Sequence, residues 1–178
     1  MKMNKTNRQA GFVLIEVVST LILIGIIGAF TGFFLYYGIT GFLASKRNSE
    51  DALKVQVAMD RISAELRDIK ASPKPIFEAK KVTYQSNTLT LPPGDRVLQI
   101  ESVSNVPGIY LTVGGTKNIL LDNVNLAKSD ITYGATRNLD NSGDGSNEIS
   151  FIKVTFSLND LGTPFEVKIY PRAMITFP

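Results

Sequence analysis

Two apolar patterns follow one another in the first 70 residues of the chain. Residues 12–44 are almost wholly apolar, and the 28 residues from Val17 to Ala44 carry no charge. A helix of that length measures about 42 Å at ~1.5 Å per residue, whereas a bilayer core needs about 20 residues and a signal-peptide core only about 7–15. The first pattern therefore predicts a helix that crosses a membrane.

The second pattern is one-sided, because apolar residues recur at spacings of three and four. They are Ala52, Val55, Met59, Ile62, Leu66 and Ile69. Mainly charged and polar residues lie between them, which indicates an amphipathic helix. No helix breaker separates this stretch from the apolar run, and Pro73 and Pro75 follow it. We therefore expect one helix from about residue 12 to about residue 70.

Beyond Pro75 the apolar positions alternate over short runs, as they do in strands. The predicted strands are Thr88–Leu91, Val97–Ile100, Ile109–Val113, Ile119–Leu121, Ile149–Phe151, Val154–Leu158 and Phe165–Ile169. Pro107-Gly108 is expected to mark a turn and Ile152-Lys153 a β-bulge, while Asn159–Gly162 would close a hairpin. An antiparallel sheet packed on the amphipathic half of the helix gives an α+β fold.

The basic excess of the chain lies at its beginning. Of 178 residues, 19 are Lys or Arg and 16 are Asp or Glu, for a formal net charge of +3. Lys2, Lys5 and Arg8 account for this excess, since residues 1–11 contain no acid. Basic residues before an apolar helix favour a cytoplasmic N-terminus, so the residues after the helix are expected outside the inner membrane. The balanced remainder gives no reason to expect a nucleic-acid partner.

The composition also excludes several kinds of chemistry. The chain has no Cys and no His. It therefore has no disulfide, no thiolate zinc site, no cysteine nucleophile and no histidine general base. It has no phosphate-binding loop motif either. We expect no enzymatic activity and no cofactor. Calcium is the one ion for which the sequence suggests a binding site.

The calcium question concerns the polar, acidic and glycine-rich residues 138–148. Asp140 and Asp144 match the first half of a calcium-loop spacing, but Phe151 stands where that loop needs a bidentate Glu. Two interpretations stay open. Asp140 and Asp144 would be ligands of a calcium ion, or the segment would be a solvated turn, which Asp, Asn, Ser and Gly favour.

Glu16 is the one carboxylate within the apolar run. A charge at the bilayer centre costs about 2.5–3.5 kcal/mol on insertion scales, and less near the interface, so such a residue points to a function. Glu16 ends the string GFVLIE, residues 11–16, which follows a short basic leader. This string resembles the N-terminal cleavage and methylation motif of type IV prepilins and pseudopilins. Gln9-Ala10 depart from the motif, because a basic residue more often precedes the glycine.

The resemblance implies a processing site and an assembly contact. A membrane aspartyl protease, prepilin peptidase, would cut between Gly11 and Phe12 and methylate the new amine of Phe12. Glu16 would then pair with the N-terminal amine of a neighbouring subunit. The resemblance implies a pilin-like arrangement: a leader at 1–11, a transmembrane helical half at 12–44, an amphipathic helical half at 45–72 and a β-rich head at 73–178.

The implied function is that of a minor pseudopilin or minor pilin, most like the J-type pseudopilin of type II secretion. It would be a structural subunit of a protein-secretion pseudopilus or of a type IV pilus-like filament. Its partners would be prepilin peptidase, other pilin subunits, the inner-membrane assembly platform and the lipid bilayer. The head would be periplasmic or otherwise extracytoplasmic. The alternatives are a membrane-anchored extracytoplasmic binding protein and a DNA-uptake or adhesive pilus subunit.

Overall fold

The computed structural model describes residues 9–87, 94–134, 136–139 and 147–176, without the side chains of residues 9–13, 136 and 137. The chain divides into two compact units, Met1–Asp51 and Ala52–Pro178. Helix α1 spans Gln9–Arg67 and contributes residues to both units. The predicted strand Thr88–Leu91 lies outside the described residues.

In the first unit the structure describes a helix whose large apolar side chains are exposed. Every large apolar side chain from Leu14 to Leu43 is at least 47% exposed. The hydroxyls of Ser19, Thr20, Thr31 and Thr40 donate to carbonyl oxygens three or four residues earlier in the helix. By its length and composition, this helix could cross a membrane.

In the second unit the last turns of α1 form one side of a hydrophobic core. Val55, Ala58, Ile62 and Leu66 are buried there, at helical spacings of three and four. The helix ends at Arg67, and the chain then runs beside the second strand, where Lys70 N donates to Gln85 O at 2.8 Å. The predicted amphipathic helix is thus confirmed, and it ends close to the expected residue.

A five-stranded antiparallel sheet contributes buried residues to this core. Its strands lie in chain order: β1 (Ile76–Glu78), β2 (Lys81–Gln85), β3 (Asp95–Val103), β4 (Val106–Val113) and β5 (Thr116–Asp122). Val82, Leu98, Ile109 and Leu121 belong to the core that contains the helical residues. The chain therefore has an α+β fold with one long N-terminal helix.

Two smaller antiparallel sheets complete the described part of the second unit. One contains β6 (Asp130–Tyr133), β9 (Ile152–Phe156) and β10 (Phe165–Ile169), in the order β10-β9-β6. The other pairs β7 (Thr136–Arg137) with β8 (Glu148–Ile149). A 3-10 helix, Leu126–Lys128, precedes β6, and the Asn125 side chain accepts hydrogen bonds from its backbone. The hairpin of the last two strands is confirmed.

Two local predictions are wrong. Ile152 and Lys153 continue β9 in unbroken register with β10, so there is no bulge at that point. The register shift lies instead between Ile109 and Tyr110, where β4 pairs with β5. The expected turn at Pro107-Gly108 is also absent, because these residues belong to β4.

The turn before β4 is made by two residues with positive φ, Ser104 at 51° and Asn105 at 66°. Gly108 has a different role in its strand. A Cβ atom on Gly108 would lie 2.6 Å from Leu121 O, so the close approach of β5 requires a glycine there.

Candidate functional site

The proposed processing site lies near the beginning of helix α1. Gly11 and Phe12 both belong to the helix Gln9–Arg67, and the side chain of Phe12 is outside the described set. Leu14 and Ile15, which continue the motif, are 70% and 66% exposed. The cut between Gly11 and Phe12 stays a prediction.

Glu16 is exposed on the surface of the same helix. Its carboxylate forms no ion pair with any residue that the structure describes. Its backbone oxygen accepts a hydrogen bond from Ser19 Oγ at 3.2 Å. Glu16 is thus an exposed carboxylate within an apolar stretch of the helix, and a lipid environment would make a cationic partner favourable.

The calcium hypothesis falls largely on residues that the structure does not describe. Asp140 and Asp144 both lie outside the described ranges. Glu148, at the other end of the segment, is buried and accepts a hydrogen bond from Leu139 N at 2.7 Å. Within the described ranges, no group of three acidic side chains could hold a metal ion. Calcium binding by Asp140 and Asp144 stays a prediction.

A buried ionic cluster joins the helix to the five-stranded sheet. Glu65 on α1 and Arg96 on β3 are each 1% exposed, and Arg96 Nη1 lies 2.7 Å from Glu65 Oε1 and 2.5 Å from Oε2. Arg61, one helical turn earlier, places Nη2 2.7 Å from Glu65 Oε1. Such contacts offset the cost of removing the charges from water.

Tyr84 on β2 completes this cluster by donating its hydroxyl hydrogen to Glu65 Oε2 at 3.1 Å. Burial raises the pKa of Tyr84 well above its usual value, and the negative charge of Glu65 raises it further. The cationic guanidinium groups of Arg96 and Arg61 act in the opposite direction on this pKa. The phenol therefore stays protonated and available as a donor.

This cluster was not predicted from the sequence, although a signal was present. Glu65 is in phase with Ala58 and Ile62 on the buried face of the helix. Arg96 is two residues before Leu98 and shares its side of β3. Each of two elements thus carries a charged residue on its apolar face, and the two charges are opposite. This pattern indicates a buried ion pair.

Comparison of the chain with models of protein families, with curated proteins and with solved structures finds no match. The described residues define the class of the protein as α+β, with one long N-terminal helix and a five-stranded antiparallel sheet. By length and composition, that helix could span a membrane.

Proposed function

We propose that this chain is a minor pseudopilin or minor pilin, a structural subunit of a type II secretion pseudopilus or of a type IV pilus-like filament. The observation that carries the proposal is the string GFVLIE at residues 11–16, between a basic leader and 28 uncharged residues. Prepilin peptidase would cut after Gly11 and methylate the amine of Phe12. Both the cleavage and the methylation are inferred from the resemblance of this string to the prepilin motif.

The different burial of the two halves of helix α1 supports the proposal. The end of α1 is buried against an antiparallel sheet, while the apolar side chains from Leu14 to Leu43 are exposed. A pilin-like subunit needs both properties, because its first helical half lies in lipid or among other helices and its second half supports a head. In this proposal the first half spans the inner membrane and the head is extracytoplasmic.

Glu16 gives the proposed assembly step a physical basis. An ionised carboxylate in an apolar surrounding is costly, and a nearby cation repays part of that cost. Cleavage after Gly11 would create such a cation, the amine of Phe12. Pairing of Glu16 with that amine on a neighbouring subunit would favour transfer from lipid into the filament. An ATPase elsewhere in the assembly platform would drive the transfer.

The mass of the intact protein tests the processing step. The chain would be produced in membranes with and without an active prepilin peptidase, extracted in detergent and weighed by mass spectrometry. With the peptidase, we expect a mass that lacks residues 1–11 and carries one additional methyl group. Without the peptidase, we expect the full-length mass.

A pair of glycine variants provides the control. Gly11→Lys is expected to block cleavage, since the bulky side chain replaces the glycine before the cut. Gly25→Ala, within the apolar run, is expected to be cut like the native chain, because a Cβ atom there meets nothing within 4 Å. A native chain that keeps residues 1–11 beside an active peptidase would contradict the proposal.

A further inference from the structure

An apolar groove of about 600 Å³ opens on the second unit between β8 and the residues after β10. Phe151 lies in its wall, and Tyr170 approaches this ring at 6.2 Å between ring centroids. Tyr170 is 64% exposed and Met174 is 56% exposed, so their apolar surface faces solvent. Clustered apolar side chains on a surface are typical of an interaction site.

One cationic side chain lines this groove, and two others line the cavity next to it. Arg172 lines the groove, and Lys168 Nζ lies 5.0 Å from the centroid of the Phe151 ring. Arg67 and Lys168 line a neighbouring cavity of about 240 Å³, which shares Tyr170 with the groove. A backbone hydrogen bond holds Arg67 and Arg172 next to each other, since Arg172 N donates to Arg67 O at 2.9 Å.

These cations have no acidic partner among the described residues. Neither Arg67, Lys168 nor Arg172 takes part in an ion pair there. Lys168 also lies directly opposite Lys153 in the β9–β10 register. Lys153 is paired with Glu166, since its Nζ lies 3.5 Å from Glu166 Oε2, whereas Lys168 has no such partner there and could contact a bound anion.

We propose that Arg67, Lys168, Tyr170 and Arg172 form a docking surface for an acidic, amphipathic segment of a partner protein. An aromatic or aliphatic side chain of the segment would occupy the groove beside Tyr170 and Met174, and flanking carboxylates would contact the cations. Tyr and Arg are enriched among the residues that dominate binding energy. Charge complementarity would select the partner and accelerate its association.

The same observations favour a protein segment over a nucleic acid. A nucleic-acid surface follows the phosphate backbone with a basic stripe. Here the cations border an apolar groove, and the acidic side chain of Glu166 lies on the same strand as Lys168. The proposal also stands apart from the processing of Gly11, because every residue of this surface lies within Ala52–Pro178.

A library of random short peptides tests the surface. The full-length chain would be held in a nanodisc of zwitterionic lipid, and peptides that bind it would be selected, sequenced and measured by fluorescence anisotropy. We expect the selected peptides to combine Asp or Glu with Phe, Leu, Ile or Trp. Their affinity is expected to fall at least about tenfold with Lys168→Gln/Arg172→Gln, and similarly with Tyr170→Ser, which leaves the charge unchanged.

The matched control removes the same charge elsewhere. Lys74 and Lys128 are exposed, and Lys74→Gln/Lys128→Gln is expected to keep the native affinity. The proposal is overturned if the selection yields no acidic and apolar peptides, or if both double variants bind those peptides equally. It is also overturned if a short DNA duplex binds more tightly than the peptides and depends on Lys168 and Arg172.

Discussion

At the scale of single residues, Tyr84 shows how burial changes an ordinary side chain. Its hydroxyl donates to Glu65, and burial together with that carboxylate raises its pKa above the usual value of about 10. In the unfolded chain the phenol loses its proton near pH 10, whereas in the folded chain it keeps it. The contribution of Tyr84 to stability is therefore complete below about pH 10 and decreases as the pH rises above that value.

Tyr84→Phe is expected to change the pH dependence of unfolding. Near neutral pH the variant should be less stable by about 1 kcal/mol, because it lacks the hydrogen bond to Glu65. Above about pH 10 this advantage of the native chain should fall by up to about 1.4 kcal/mol per pH unit, so that it disappears or reverses by about pH 11. Denaturant unfolding of the full chain in detergent, from about pH 8 to about pH 11, measures this difference.

Tyr170→Phe serves as the control for Tyr84→Phe, since Tyr170 is 64% exposed and is in contact with the Phe151 ring instead of a carboxylate. The free energy of unfolding of Tyr170→Phe should differ from that of the native chain by a constant amount over the same pH range. If the difference for Tyr84→Phe is also constant up to about pH 11, burial does not hold the phenol in its protonated form.

At the scale of elements, the close approach of β4 and β5 depends on Gly108. A methyl group there would lie 2.6 Å from Leu121 O, which belongs to the backbone and does not rotate away. Gly108→Ala is therefore expected to reduce the free energy of unfolding by about 1–3 kcal/mol. Chemical unfolding followed by circular dichroism measures this loss.

Gly162→Ala is the matched control for the β4–β5 contact, because a Cβ atom at Gly162 meets nothing within 4 Å. That variant should change the free energy of unfolding by less than about 1 kcal/mol, in the stabilising direction, since alanine restricts the unfolded chain. Equal losses from the two substitutions would show that the contact with Leu121 is not the cause.

The sequence predicted the elements that follow a clear period and missed those that do not. The spacing from Val55 to Leu66 predicts the helix, and alternation predicts the strand at Phe165–Ile169. The turn at Ser104-Asn105 was missed because non-glycine residues adopt the positive φ there, while Pro107-Gly108 gave a misleading turn signal. Glycine at 108 serves interstrand packing, which only the fold reveals.

A candidate site can be predicted from the sequence when its residues are contiguous, and it is missed when the fold brings distant residues together. The string at residues 11–16 is contiguous, so it can be found in the sequence. The pair Glu65–Arg96 and the groove at Tyr170 each combine residues from distant elements, and only the tertiary structure brings them together. Position 65 carried a partial signal, because a carboxylate on an apolar helical face requires a partner.

At the scale of the whole molecule, the proposed role assigns Glu16 to assembly and not to cleavage. Glu16→Gln keeps the shape of the side chain and removes the charge that would pair with the amine of Phe12. We expect normal removal of residues 1–11 but at least about a tenfold decrease in processed chain recovered in filaments, since the loss of about 1.4 kcal/mol suffices for that factor. Shearing, sedimentation and immunoblotting quantify the recovered fraction.

Glu50→Gln is the control for Glu16→Gln, because Glu50 is an exposed carboxylate of the same helix whose partner, Lys46, lies 3.8 Å away. Its incorporation into filaments should equal that of the native chain. Normal incorporation of Glu16→Gln would remove the basis for the pairing of Glu16 with a neighbouring amine.

The ionic contact between Glu65 and Arg96 also has a mechanical consequence. A slip of the helical segment along β3 by one turn in one direction would bring Arg61 opposite the Arg96 guanidinium in place of Glu65 and set two cations together. A slip in the other direction would carry Glu65 past the end of its contact with Arg96, because the helix ends at Arg67, and the two buried charges would be separated. Axial slippage is thus penalised in both directions, and a tensile force along this part of the helix passes into the sheet as shear.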